Sequence, residues 1–365
     1  MIRKTMKKTS FSILLTACIF ALASCSGKAE QTTVTETDSI SGTLLSDSLI
    51  FSSNCTYFFT IGKNLFLSNA LQVEDCAYRV VDLESKQFID KFGYFGTGPG
   101  EFFNQDFAGK TLDNDTIYAY DITFRRIQVL SRKEKTTTYQ YAYSLPVKTK
   151  DDTYFFNMRR LENGYYVGQP LSGKYPFFIL LDASGKEAGR FGKIPVIGEY
   201  NEVIDYMRLT GSLEVSENSV YFGGDSFGYL ARYDVNDRGE ATLVWEQYLS
   251  EPQYKIEDGR LFRDIKKNLE GFGGLTTVGE YVLATYSGKL DPGIKGILED
   301  PGATLPETLI VFRKKDGKEL RRLHLDRRGS RLAVTEDHKT LIMRCYDPET
   351  SYCLYDLEKI LSNLE

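Results

Sequence analysis

Histidine is nearly missing from this chain: His324 and His338 are the only two in 365 residues. A Ser-His-Asp relay needs an imidazole beside its nucleophile. Here His324 falls mid-strand in RRLHLD and His338 in a predicted turn, so neither is placed to serve as that base. No GxSxG, HExxH or Walker-type phosphate loop occurs, and the glycines of GTGPGE do not spell GxGxxG. Long apolar runs are lacking after the first two dozen residues, which leaves no candidate for a second membrane span. Basic clusters are scarce too. The formal charge is −5, and RRLHLDRR (321–328) is the one dense basic run, read here as a strand with solvated faces. That balance argues against nucleic acid as a partner. The six cysteines contain no CxxC pair, so no zinc-type spacing is offered.

What is present starts at the N-terminus. Arg3, Lys4, Lys7 and Lys8 precede an apolar run from Phe11 to Ala23, the charge and length pattern of a secretory signal. The run ends in Leu22-Ala23-Ser24-Cys25, which resembles the lipobox of bacterial lipoproteins. The resemblance implies cleavage of a signal peptide (1–24), a diacylglyceryl group on the Cys25 thiol, and partnership with the lipid bilayer through that residue. Two acyl chains suffice for stable anchoring at ~0.8 kcal/mol per buried CH₂. Ser26, next to the cysteine, does not favour inner-membrane retention among such lipoproteins, so an outer-membrane location in the cell envelope is expected. Residues 25–41 are small, polar and free of aromatics, and read as a lipidated flexible tether. Loss of the signal would bring the charge near −9.

With Cys25 acylated, four cysteines remain in the mature chain and three connectivities are open. Cys345 and Cys353 flank YDPETSY, whose Asp-Pro suggests a turn, so the two could face each other across a hairpin. Cys55 and Cys76 would then form the other pair. The alternative is buried thiols.

A phrase recurs along residues 42–365: an acidic or Asn-Gly turn, a strand with aromatics, a second strand, a tight turn and a third. It is seen at 60–70, 112–121, 161–170, 215–225, 277–287 and 335–347. Gly185, Gly239 and Gly317 fall where the later turns need positive φ. Short strands at such a period predict an all-β, six-bladed propeller. The last phrase lacks an outer strand, and the segment at 42–59 has a strand to spare. The N-terminal strand is therefore expected to complete the last blade and close the ring. Leu261, Phe262, Ile265 and Leu269 recur at helical spacing, so one short inserted helix is expected near 257–270.

Residues 96–130, GTGPGEF followed by DNDTIYAYDITFRRIQVL, resemble an NHL repeat. Together with the lipobox, the chain resembles six-bladed, TolB-like or NHL-like propeller lipoproteins of Gram-negative bacteria. Members of that group mostly have no assigned reaction. Within the GTGPGE crossing, Gly96, Gly98 and Gly100 permit the passage from one blade to the next and Pro99 restricts it, while Phe102 and Phe103 would plug between blades.

Number the strands of each blade A to D from the channel outward. The A–B and C–D turns are minimal, whereas the long connections (194–211, 250–274, 287–306 and GTGPGE) all belong to the D–A and B–C set on one rim. Loops of that length on a rigid scaffold usually carry binding. Glu101, Arg126, Tyr200, Tyr206 and Arg208 are the candidate binding residues there, with bracing of the loops as their ordinary alternative. Two functions stand open. One is a membrane-anchored binding module for a protein, peptide or glycan at the long-loop rim. The other is a metal-dependent hydrolase or lyase using channel carboxylates, a lactonase-like activity that other six-bladed propellers bring to mind. The scarcity of histidine and of catalytic motifs favours the first. Calcium would suit the second, but no Asp/Asn cluster has EF-hand-like spacing, and neither a cofactor nor a set of metal ligands is assigned. An aromatic channel lining would favour binding, and converging carboxylates would favour the enzyme.

Overall fold

The computed structural model describes residues 38–45, 55–69, 76–171, 177–192, 209–257, 260–346 and 350–364. The chain divides between Thr35 and Glu36, and the unit Glu36–Glu365 is the propeller. Its first two strands, β1 (Asp38–Ile40) and β2 (Thr43–Leu44), belong to the last two blades. Blade one is β3 (Cys55–Ile61), β4 (Asn64–Asn69), β5 (Tyr78–Asp82) and β6 (Gln87–Phe92). A small parallel pair, β7 (Tyr94–Phe95) and β8 (Glu101–Phe102), leads to blade two: β9 (Gln105–Lys110), β10 (Thr116–Asp121), β11 (Arg126–Arg132) and β12 (Tyr139–Pro146). Blade three is β13 (Phe155–Arg160), β14 (Tyr166–Pro170), β15 (Phe178–Leu181) and β16 (Glu187–Phe191). Blade four is β17 (Gly211–Ser216), β18 (Ser219–Gly224), β19 (Tyr229–Val235) and β20 (Ala241–Tyr248). A hairpin, β21 (Tyr254–Glu257) and β22 (Arg260–Arg263), separates it from blade five. Blade five is β23 (Phe272–Val278), β24 (Tyr281–Tyr286), β25 (Thr308–Arg313) and β26 (Glu319–Leu325), with helix α1 (Gly293–Glu299) in its B–C connection. Blade six is β27 (Arg328–Val334), β28 (Thr340–Tyr346) and β29 (Thr350–Asp356), followed by helix α2 (Leu357–Leu361).

The ring closes as expected. β2 pairs antiparallel with β29, Thr43 opposite Leu354, and supplies the missing outer strand of blade six. All six recurring phrases coincide with an A–B turn and its B strand. Gly185, Gly239 and Gly317 hold φ of 82°, 74° and 70° in the C–D turns.

Four expectations are corrected. Residues 38–40 are not free tether: β1 lies parallel to β26 as a fifth strand on blade five. Arg321 secures it, donating to Asp38 at 2.7 Å and to the Lys359 carbonyl at 2.9 Å, so the dense basic run is tied down rather than merely solvated. Among the described residues of 257–270 no helix forms. Strand pairing prevails there, with Ile256 opposite Leu261 and Glu257 opposite Arg260, and the Asp264 N–H caps the hairpin on the Gln253 carbonyl. The inserted helix is α1, in the B–C loop of blade five. Phe103 does not plug between blades: it is 43% exposed and packs edge-on against Phe124.

Phe102, by contrast, is fully buried with Phe66, Tyr78, Phe92 and Tyr139 between blades one and two. Burial of each such ring contributes about 1.5–3 kcal/mol, and similar aromatic wedges recur around the ring. Cys345 and Cys353 lie diagonally across β28 and β29, joined as a disulfide with Cα atoms 6.1 Å apart. The Cys55 side chain lies outside the described residues, and Cys76 is buried. Among the described residues, no helix is long and apolar enough to cross a membrane.

Candidate functional site

The innermost strands enclose a central cavity of about 1030 Å³. It opens through the A–B turns, since Lys110 to Asp113, Glu162, Glu217, Gly279, Glu280, Glu336 and His338 all line it. This is the rim of minimal turns, opposite the long loops.

The channel wall owes its shape to a recurring irregularity. Pairing of the A and B strands slips in five of the six blades. Such a bulge bends the strand and re-aims a side chain. In blade six the slipped residue is Arg331, between Ser330 and Leu332, and it holds φ 57°. A left-handed conformation at a bulky residue costs about 1–3 kcal/mol and persists where its surroundings dictate it. Gly274 of blade five makes the room: a Cβ there would lie 2.5 Å from the Arg331 backbone nitrogen.

The Arg331 guanidinium lies 4.3 Å from the centre of the Tyr57 ring, and Arg159 approaches the same ring at 5.9 Å. Arg159 also pairs with the buried Asp106, Nη1 donating to Oδ2 at 2.9 Å and to the Phe107 carbonyl at 2.8 Å. The Met158 N–H donates to the same carboxylate oxygen at 3.2 Å. The second oxygen of Asp106 has no hydrogen-bond partner, and neither has Oδ1 of Asn157, whose amide nitrogen donates to the Gly211 carbonyl at 3.0 Å. Phe59 and Phe107 stack with ring centres 3.7 Å apart and complete this side of the wall.

Enclosure sets the electrostatics. Burial pushes the Asp106 carboxyl up, against the pull of Arg159 and the Met158 N–H. Burial opposes the charge on Arg159, but Asp106 and Glu214 outweigh it and hold the guanidinium firmly protonated. Glu214 lines the cavity and is half-buried, and desolvation lifts its carboxyl to about 7 despite Arg159. Desolvation lowers Lys314, whose ammonium donates to the Ser216 hydroxyl at 2.9 Å. At the mouth, Glu162, Glu217 and Glu280 are exposed. Glu336 there accepts from Lys110, from the Gly62 N–H at 2.8 Å and from Asn114 at 3.2 Å. Among the described residues, no three His, Cys, Asp or Glu side chains converge as a metal would need.

Of the residues proposed from sequence, Glu101 and Arg126 do come together, as braces. Arg126 Nη2 donates to the carbonyls of Glu101 at 2.7 Å and Gly98 at 3.2 Å, and Glu101 Oε2 accepts from the Gly98 N–H at 2.7 Å. Gln128 adds a bond to the Glu101 carbonyl at 2.6 Å. Both charged groups are thus spent on holding the GTGPGE crossing. Tyr200, Tyr206 and Arg208 lie outside the described residues. On the same rim Arg263 clamps the β21–β22 hairpin to blade five through Glu270 at 2.8 Å and through Asp291. There α1 leaves Ile294 and Leu298 81% and 78% exposed. Sequence reasoning missed Arg331, Arg159, Asp106, Glu214, Asn157 and Tyr57. The available signal was charge inside first strands, as in FFNMRR and GSLEVS.

The fold has counterparts among solved structures. A member of the duf4221 family from Bacteroides vulgatus is similar over 88% of this chain and 96% of its own, at 12% identity and a TM-score of 0.54. A protein of Bacteroides fragilis named for its expected export is similar over 87% of this chain and 93% of its own, at 11% identity and a TM-score of 0.52. No family model and no curated protein matches the chain. Likeness at this identity shows the fold, a six-bladed β-propeller, and leaves the chemistry to the residues.

Proposed function

We propose that this chain is an exported lipoprotein, anchored in the outer membrane through acylated Cys25, whose propeller is a binding module with its ligand site in the central channel. Export is supported by the lipobox-like LASC and by the B. fragilis neighbour named for its expected export. The observation carrying the binding reading is the channel lining. Guanidinium groups lie on an aromatic wall in a cavity of about 1030 Å³, and among the described residues no three carboxylates gather. A cavity of this size with a few placed polar groups suits a small organic ligand. A hydrolase or lyase would need a poised pair or a metal cage, and Asp106 is instead committed to Arg159.

Two experiments test this. Labelled palmitate should enter the full-length protein in its native host and fail to enter C25A; equal labelling removes the anchor. Full-length protein exposed to an extract of the source cells, then desalted, should retain a small molecule seen by mass spectrometry. The S212W variant, which fills the channel at a lining position, should retain none. Equal retention by both removes the channel from the reading.

A partner protein on the long-loop rim is the second reading. The exposed row Leu290, Ile294, Ile297 and Leu298 favours it. Loss of a captured envelope protein in I294D/L298D, with channel ligand retained, would separate the two.

A further inference from the structure

We propose that the channel floor is a carboxylate site, in which the Arg331 guanidinium, laid on Tyr57 beside Arg159, receives a small monocarboxylate that also carries hydroxyl or ammonium donors. This rests on the channel being the binding site and names what it takes.

Three independent observations lead here. First, Arg331 is aimed deliberately. Its bulge and φ of 57° turn the side chain toward the cavity, and Gly274 leaves room for that backbone. A strained residue at a cavity wall is a reason to look for function. Second, Arg331 holds spare capacity beyond its hydrogen bond with the Tyr57 hydroxyl. Among the described residues no carboxylate lies within ion-pair distance of it, while the nearby Asp106 is engaged by Arg159 at 2.9 Å. A planar guanidinium offers a fork of donors that matches a carboxylate, and the aromatic face beneath favours its charge. Third, an acceptor waits without a donor: Asn157 lines the cavity and is 3% exposed, yet its Oδ1 lacks a partner. A buried acceptor left empty is costly, so a ligand bringing N–H or O–H groups is rewarded there. Glu162, Glu217 and Glu280 stand exposed at a mouth that Lys110, Arg160 and Lys314 also line, and this mixed charge favours a ligand with one carboxylate over a polyanion.

The test is calorimetric titration of the full-length protein in detergent with defined probes. Glucuronate and alanylalanine represent hydroxy- and amino-carboxylates. Glucose and alanylalanine amide are their counterparts without the carboxylate, and propionate has the carboxylate without the donors. At least one of the first two should bind about tenfold or more tighter than its uncharged counterpart and than propionate. R331Q should weaken that binding by about tenfold or more, with R331K in between, because the bidentate fork is lost. R331G, which accepts the left-handed backbone without strain, should lose binding equally while melting as the parent does, which separates recognition from folding. Unchanged affinity in R331Q and R331G overturns the proposal. So does equal binding of the uncharged counterparts, or an absence of carboxylate binding in a protein whose channel retains an uncharged molecule from extract. That last result spares the channel reading. Absence of any retention and of any probe binding ends both.

Discussion

Gly274 and Arg331 touch across the boundary of blades five and six, the glycine standing where no Cβ fits because the Arg331 backbone occupies the space. Gly274 itself follows a slip in the pairing of β23 with β24, and Arg331 is the slipped residue of β27. Two irregular strands therefore interlock at the channel wall. G274A should destabilise the fold by about 1–3 kcal/mol through backbone displacement, measured as a lowered denaturant midpoint with unchanged slope. It should also weaken whatever binds Arg331. Full stability in G274A would mean that the two strands are free to part.

Glu214 gives the channel a pH dependence. Arg159, Lys314, Asp106 and the Val215 N–H face it, and burial lifts its carboxyl from 4.5 to about 7. The folded state then binds this proton more tightly than the unfolded chain, so stability falls as pH rises between those values. E214Q should remove that slope and be more stable than the parent at pH 8 by on the order of 2 kcal/mol, allowing for channel water. Below about pH 4.5 the two proteins should melt alike. A parent whose stability is flat across this window contradicts the assignment.

Glu336 acts at the seam where the ring closes. From blade six it accepts bonds from Gly62 of blade one and from Lys110 and Asn114 of blade two. Burial opposes its charge, but these partners outweigh it and hold the carboxyl below its ordinary range. The stabilisation is present above that range and lost as pH falls through the lowered value. E336Q should cost about 1 kcal/mol near neutrality and nothing in acid, read from thermal unfolding at several pH values.

Gly100 tests the blade crossing. It holds φ 78°, and a Cβ would approach Cβ of Tyr141 to 2.7 Å. G100V should destabilise by about 1–3 kcal/mol. R126A should act on the same crossing by removing the donor to the Gly98 and Glu101 carbonyls, leaving the channel ligand untouched. Loss of channel binding in R126A would show that the two rims communicate.

The ring itself was legible because five of the six B strands follow an acidic or Asn-Gly turn and the first follows Gly62-Lys63, a local signal repeated around the ring. Closure by β2 followed from simple accounting of unpaired strands. The channel floor was not legible. Arg331, Tyr57 and Asp106 sit far apart in sequence and meet only because blades six, one and two adjoin. The hairpin at 254–263 was misread because its apolar residues satisfy helical spacing as well as strand pairing. The long connections drew attention to their own rim, and there Arg126 and Glu101 proved to be holding the chain in place. Length marks where a chain is free to vary; it did not mark the rim whose turns line the cavity.

The first two strands of the propeller sit on different blades, β1 on blade five and β2 on blade six. Under the anchoring proposed at Cys25, a pull from the N-terminal side would meet β1 first, reinforced by Arg321 and its grip on α2. The closing strand β2 comes after it in the chain, so such a load would fall on a neighbouring blade before it could unlatch the ring.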